Sequence, residues 1–172
     1  AANSAALLRY PESRGTMVRP GLLLYGLSPF PGAARLLPLR PVLSLKSRIV
    51  FLKTVPRGTA LSYGCTYRTA RRSRIATVPL GYADGLSRRL SNTGAALVGG
   101  VRCPIVGRVT MDMTLLDVTG VPGATVGDEV VFIGTQREAR ISAETVAAWC
   151  DTINYEVVVS LAARLPRVEC RS

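Results

Sequence analysis

The sequence predicts a mainly β fold, an antiparallel barrel or sandwich with short helices, joined to a separate strand-and-turn block at its front. Three observations predict it. From about Pro41 onward, short apolar β-branched runs alternate with turn signals every 8–12 residues or so, the spacing of antiparallel barrels and sandwiches. Ser28 to Pro41 places four prolines among Ala and Leu, which reads as an irregular connection between two units. Two helical patterns close the chain.

In the front block, Asn3-Ser4-Ala5 followed by Leu7, Leu8 and Tyr10 reads as a loop entering a short helix that Pro11 ends. Met17 and Val18 are strand-like, Pro20-Gly21 turns sharply, and Leu22 to Tyr25 begin a second short element. A turn of this kind exposes consecutive backbone N–H groups that can hold an anion such as phosphate, although a plain tight turn has the same sequence.

Beyond the connection, Val42 to Leu52 reads as a strand, Pro56-Arg57-Gly58 as a turn, and Leu61 to Tyr67 as a resumed strand. Ile75 to Leu80, Leu97-Val98, Val101 to Val106 and Val109 to Val118 follow, with Glu129 to Ile133 as the last clear strand. Ser142 caps a helix with Glu144 in its first turn and Val146, Ala147 and Trp149 as its buried face. A second helix or long turn covers Tyr155 to Arg164 and stops before Pro166.

Bulk properties bound the function classes. A chain of 172 residues with 48% hydrophobic content holds one domain plus a piece of another, and it lacks the run of about 18 apolar residues that spans a membrane. It opens Ala1-Ala2-Asn3-Ser4, with no leader pattern, as a segment starting inside a larger fold does. The net charge of +11 raises the question of nucleic acid, but there is no alternation of basic and stacking aromatic residues, so neither nucleic acid nor membrane is expected as a partner. Cys65, Cys103, Cys150 and Cys170 show no CxxC spacing and there is no histidine, which argues against zinc and for reduced thiols in the cytoplasm.

One stretch draws attention for chemistry. LSYGCTY, Leu61 to Tyr67, carries Tyr63 beside a glycine, and GYADG, Gly81 to Gly85, brackets Tyr82 the same way. A phenol with a reference pKa of about 10 serves as a base near neutrality only beside cations or hydrogen-bond donors. Arg68, Arg71, Arg72 and Arg74 follow just downstream, and Arg19 and Arg108 stand at other glycine-flanked turns. Taken alone, a tyrosine beside a glycine is more often a packed strand-end residue.

The order of motifs says more than any one of them. ANSA, VRPG, PVLSLKSRI, SYGCTY, GYADG, PIVGRVTMD, VGDEV and TINYEVVVSLAARLPR together resemble the alanine racemase family, specifically its C-terminal β domain preceded by the last βα unit of its TIM-type α/β barrel. The resemblance implies residues 1–38 as the end of the barrel and 39–172 as the β domain. It further implies a homodimer with shared active sites, pyridoxal 5'-phosphate as cofactor, and alanine as substrate.

Residue by residue, the resemblance makes Tyr63 the catalytic base lent to the partner subunit, working opposite the cofactor lysine. Arg19 matches the arginine that meets the cofactor's pyridine nitrogen. Ser4, the N–H groups of Gly21 and Leu22, and the hydroxyl of Tyr155 match the phosphate cradle. Met111 matches the residue whose backbone N–H meets the substrate carboxylate, and Tyr82 the tyrosine that narrows the pocket. Asp84 and Asp112 read as structural carboxylates accepting backbone bonds. The bland alternatives are a helix-capping Ser4, a packed Tyr155, and a core Met111 on an alternating strand with Val109 and Met113.

Departures from the family pattern are informative. Lys46 and Lys53 lie in the opening motifs of the β domain, so neither matches the covalent cofactor lysine, and the chain alone is expected to be inactive. The histidine behind the cofactor arginine and the arginine beside the catalytic tyrosine have no match here either. Thr110 stands where Cys is frequent, and Val168-Glu169 lacks a closing tyrosine. A broad-specificity racemase of the same family, or a noncatalytic β-barrel binding module, remains as the alternative reading.

Overall fold

The computed structural model describes residues 1–33 and 36–170, which fall into two compact units, 1–43 and 44–172. In the first unit, β1 (Ala2–Asn3) and β2 (Val18–Arg19) pair in parallel, with Ala2 opposite Val18 and Asn3 opposite Arg19. Parallel neighbours need a crossover, and α1 (Ser4–Arg9) lies within it. The Asn3 side chain accepts the Ala6 N–H at 2.9 Å, so the asparagine starts the helix as a polar cap. After β2 the chain enters α2, the single turn Gly21–Leu24.

The second unit is an antiparallel barrel built from two sheets. One sheet runs in the order β12 (Ala139–Ile141), β11 (Glu129–Gln136), β8 (Ala95–Val98), β9 (Val101–Pro104), with β3 (Leu45–Arg48) also paired to β11. The other runs β10 (Thr114–Asp117), β7 (Ser73–Val78), β4 (Phe51–Val55). Two corners join them. Ile105, just after β9, bridges Leu116 of β10. At the other corner Ile49 N–H donates to Asp128 C=O at 3.0 Å and Val50 N–H to Thr77 C=O at 2.9 Å, so consecutive amides serve opposite sheets. Inside, Leu97, Val98, Val130, Leu116, Val78 and Ile141 are fully buried.

Three expected strands have other bounds. Val42 to Leu52 is not one strand, because the barrel needs the chain to bend at Ile49 and pass from β3 to β4. Val109 to Val118 is strand only over β10; the preceding residues turn back, with Thr110 N–H bonded to Met113 C=O at 3.0 Å. Glu129 to Ile133 is not the last strand either, since β11 continues to Gln136 and turns into β12.

Leu61 to Tyr67 also differs from expectation. It is the tip of a small hairpin, β5 (Ala60–Leu61) against β6 (Tyr67–Arg68), with a 3-10 turn over Tyr63–Cys65 between them. At the end of the chain, Ser142 caps α3 (Ala143–Trp149) by accepting the Thr145 N–H at 3.2 Å. Val146 and Ala147 are buried as expected, whereas Trp149 is only half-buried. The second helical stretch is shorter than its sequence suggested: α4 covers Asn154–Val159, and an irregular tail carries Leu161 to Arg164.

Candidate active site

In the first unit, Ser4, Arg19, Gly21 and Leu22 are brought together by the parallel pairing of β1 and β2. Ser4, buried at 5% exposure, is not the helix cap, a role Asn3 holds. Its Oγ donates to the Pro20 carbonyl and lies 3.4 Å from the Leu23 N–H, on the turn that opens α2. Gly21 has φ of +25°, and a Cβ there would stand 3.9 Å from Ser4 Oγ, partly filling the space beside the hydroxyl. The Gly21 and Leu22 amides occupy the first two positions of α2, where a helix has no intrahelical acceptors. A hydroxyl, two leading amides and a missing side chain suit a phosphate. The Leu22 side chain is buried, while Arg19 is exposed at the end of β2.

In the second unit, the hairpin tip presents Tyr63 outward with 75% of its surface exposed, so it is not a packed strand-end residue. Three of the four residues from Ser62 to Cys65 take positive φ: Ser62 at 61°, Gly64 at 72° and Cys65 at 51°. For Ser62 and Cys65 such backbone costs of the order of 1–3 kcal/mol each, strain that surrounding contacts must hold. One of those contacts is Ser62 Oγ to the Arg108 carbonyl, and the Arg108 guanidinium itself lies against Gly64, where a Cβ would be 3.4 Å from Cζ. Of the arginines singled out by sequence, Arg68 and Arg74 donate to the carbonyls of Gly58 and Pro122. Arg108 is set at the Tyr63 turn.

Tyr82 and Met111 sit on two turns stitched together: Tyr82 N–H donates to Thr110 C=O and Ala83 N–H to Met111 C=O, both at 3.0 Å. The approach is so close that a Cβ at Gly81 would fall 2.3 Å from both carbonyl oxygens. Gly85, at φ +97°, closes the turn against Ser160, whose carbonyl oxygen would be 2.2 Å from a Cβ there. Met111 is 55% exposed and Met113 47%, with Val109 buried, so Met111 is not a core side chain of an alternating strand. Tyr155 is the second residue of α4 and is 39% exposed, not packed away.

Asp84 behaves as expected, its Oδ2 accepting the Gly81 N–H at 2.9 Å. Asp112 does not take a backbone bond; its Oδ1 accepts Arg164 Nη2 at 2.8 Å, while Arg164 Nε donates to Asp84 Oδ1 at 2.7 Å. Arg164 is the residue sequence reasoning missed, because nothing local ties it to aspartates 80 and 52 positions away. Hydrogen bonding to Asp84 and then Asp112 raises its pKa further above an already high value, fixing its charge. Lys46 is paired with Glu129 at 3.0 Å on β3, in keeping with a structural lysine.

A cleft of about 370 Å³ opens beside these turns, between the barrel and the two terminal helices, with Leu86, Phe132, Val146, Val157 and Leu161 on its walls and Tyr82 at its edge. Tyr63, Met111 and Tyr155 are not among its lining residues.

Comparison with known proteins matches residues 42–169 to the family model described as alanine racemase, C-terminal domain, and residues 1–29 to that of alanine racemase, N-terminal domain. The chain is similar to the alanine racemase of Sorangium cellulosum, 53% identical over 171 residues that cover 97% of this chain and 45% of the relative. The alanine racemase of Halothermothrix orenii is likewise 53% identical, over 96% of this chain and 44% of its own length. The fold is similar to that of alanine racemase from Bacillus anthracis with bound L-Ala-P, at a TM-score of 0.92 and 44% identity over 99% of this chain and 44% of that one. Alanine racemase from a D-cycloserine-producing Streptomyces lavendulae aligns at a TM-score of 0.93 and 40% identity, over 99% and 45% of the two chains. The chain thus spans a little under half the length of these relatives.

Proposed function

The chain belongs to the alanine racemase family, and from that membership we propose that it forms the C-terminal portion of an enzyme interconverting L- and D-alanine in a cytoplasmic homodimer. Residues 1–38 complete a cofactor-binding barrel, and residues 39–172 form the domain lent to the partner's active site. The observation that carries this reading is the exposed Tyr63, thrown outward on a strained hairpin tip with Arg108 against its neighbour Gly64.

Pyridoxal 5'-phosphate fits the first unit: Ser4 and the Gly21 and Leu22 amides would hold its phosphate and Arg19 would meet its ring nitrogen, and the family resemblance adds the Tyr155 hydroxyl as a further phosphate donor. When bound, this cofactor acts as an electron sink that acidifies the substrate's α-hydrogen. A guanidinium is a hydrogen-bond donor that does not give up its proton, so at this place Arg19 would leave the ring nitrogen unprotonated, which would restrain the sink and limit side reactions. Tyr63 moves the proton at its phenol oxygen on one face of the substrate Cα, and a lysine outside this chain serves the other face. Met111 offers its N–H to the substrate carboxylate across the dimer interface, and Tyr82 narrows the pocket to a small side chain and excludes water.

The product, D-alanine, suits use in peptidoglycan. Among the described residues no helix is long and apolar enough to cross a membrane. The chain by itself is inactive on this reading, because no residue in it matches the covalent lysine. Reconstitution of the complete dimer tests the proposal: solvent deuterium should enter the α-position of both alanine enantiomers, and failure of either to exchange overturns it.

A further inference from the structure

The turns bearing Tyr82 and Met111 meet through main-chain bonds and the close approach at Gly81, and a third segment of chain crosses both. Ala162 N–H donates to the Asp84 carbonyl at 3.1 Å, and Arg164 then reaches two carboxylates, Asp84 at 2.7 Å and Asp112 at 2.8 Å. Each aspartate follows a residue read as pocket-forming: Asp84 two places after Tyr82, and Asp112 next to Met111.

We propose that Arg164 is a positioning residue for substrate, a two-armed clamp that sets the spacing between the Tyr82 and Met111 turns. The proposal rests on the reading of those two residues as walls of the alanine site. A guanidinium supplies donors on separate nitrogens in fixed, divergent directions, so Nε and Nη2 serve two carboxylates at a set spacing; an ammonium carries its three donors on one nitrogen and cannot hold that spacing. The two aspartates are of like charge, and Arg164 is what lies between them. Remove it and they repel, with Asp84, whose side chain is only 10% exposed, poorly screened by water. Global stability is a lesser matter, since the Arg164 side chain is half exposed and exposed ion pairs contribute little to it. What the clamp fixes is local orientation.

The test has two arms. In the first, amide hydrogen exchange is followed in the protein and in Arg164→Gln. The Tyr82 and Ala83 amides, which bond to Thr110 and Met111, should exchange about tenfold faster or more, the scale of a lost charge-assisted bond, while Leu97 and Val131 in the barrel core keep their rates. Arg164→Lys should not rescue the protection. Asp112→Asn, a change at an exposed carboxylate, breaks one arm alone and should speed Ala83 by about threefold. Unchanged exchange at Tyr82 and Ala83, or an equal acceleration in the barrel core, overturns the clamp. In the second arm, Arg164→Gln in the complete dimer should raise KM for alanine about tenfold with kcat within about threefold of the parent; a fall in kcat alone overturns the assignment. If the parent dimer does not racemise alanine, the proposed function fails while the exchange arm still decides the clamp.

Discussion

Ser62 Oγ donates to the Arg108 carbonyl at 2.7 Å, tying the residue before Tyr63 to the segment that leads on to Met111. The tyrosine's position is therefore set from behind, by backbone and a neighbouring hydroxyl, while its own ring stays free. Replacing Tyr63 with Phe should lower racemisation in the complete dimer by about 10²- to 10⁴-fold, the usual contribution of a general base. Tm of the chain should not change, because Tyr63 is 75% exposed. Deuterium wash-in at Cα at the parent rate would refute the assignment of Tyr63.

The glycines make a sharp pair of controls. A Cβ at Gly81 would fall 2.3 Å from two carbonyl oxygens, whereas at Gly120 nothing lies within 4 Å and φ is not positive. Gly81→Ala should be destabilising by about 2–3 kcal/mol or more, since backbone must move to admit it. Gly120→Ala should fall within about 0.5 kcal/mol of the parent. Urea unfolding of the two variants reads both values.

Gly21→Ala tests the phosphate cradle. The substitution forces an alanine to φ +25° and places a methyl group beside Ser4 Oγ. Cofactor affinity in the complete dimer, followed by absorbance titration, should weaken by about tenfold, corresponding to strain at the low end of 1–3 kcal/mol. An unchanged titration would remove Gly21 from the cradle.

The cysteines divide by burial. Cys65 and Cys170 are exposed and should react with a thiol reagent at once, while Cys103 and Cys150 should react only on unfolding. Burial, reinforced by Asp117, pushes the Cys103 thiol from 9.0 up to about 11. Below pH 9 both folded and unfolded chains hold that proton and the full stability is present. As pH rises from about 9 to about 11 the unfolded chain ionises first, so about 2 kcal/mol should drain away over that window. Cys103→Ala should flatten the slope, and an unflattened one would assign it to other groups.

Alternation and turn residues made the antiparallel barrel legible, and Ser142 marked its helix start, whereas the capping alternative at the first helix fell on Ser4, one residue after the cap Asn3. The corner at Ile49 was hidden because an apolar β-branched run looks the same whether it stays in one sheet or bends into another. Tyr63 and Tyr82 were legible through their glycines. Arg164 was not, because its partners lie in two distant turns and an arginine near a proline carries no local trace of them. The hairpin tip misled in a different way: SYGCTY has strand-like residues, but Gly64 lets the chain reverse, and tertiary contacts to Gly107 and Arg108 favour the reversal.

Strand β11 pairs with β3, β8 and β12, and its partner β3 lies more than 80 residues earlier in the chain. Closure during synthesis must therefore wait for the ribosome to release residues 129–136, long after the Tyr63 hairpin and the Tyr82 turn have emerged. Until then β3 waits with an unmatched edge, and the nascent polypeptide is most open to wrong partners in that interval. A translational pause placed before β11 should harm yield more than one placed after β12.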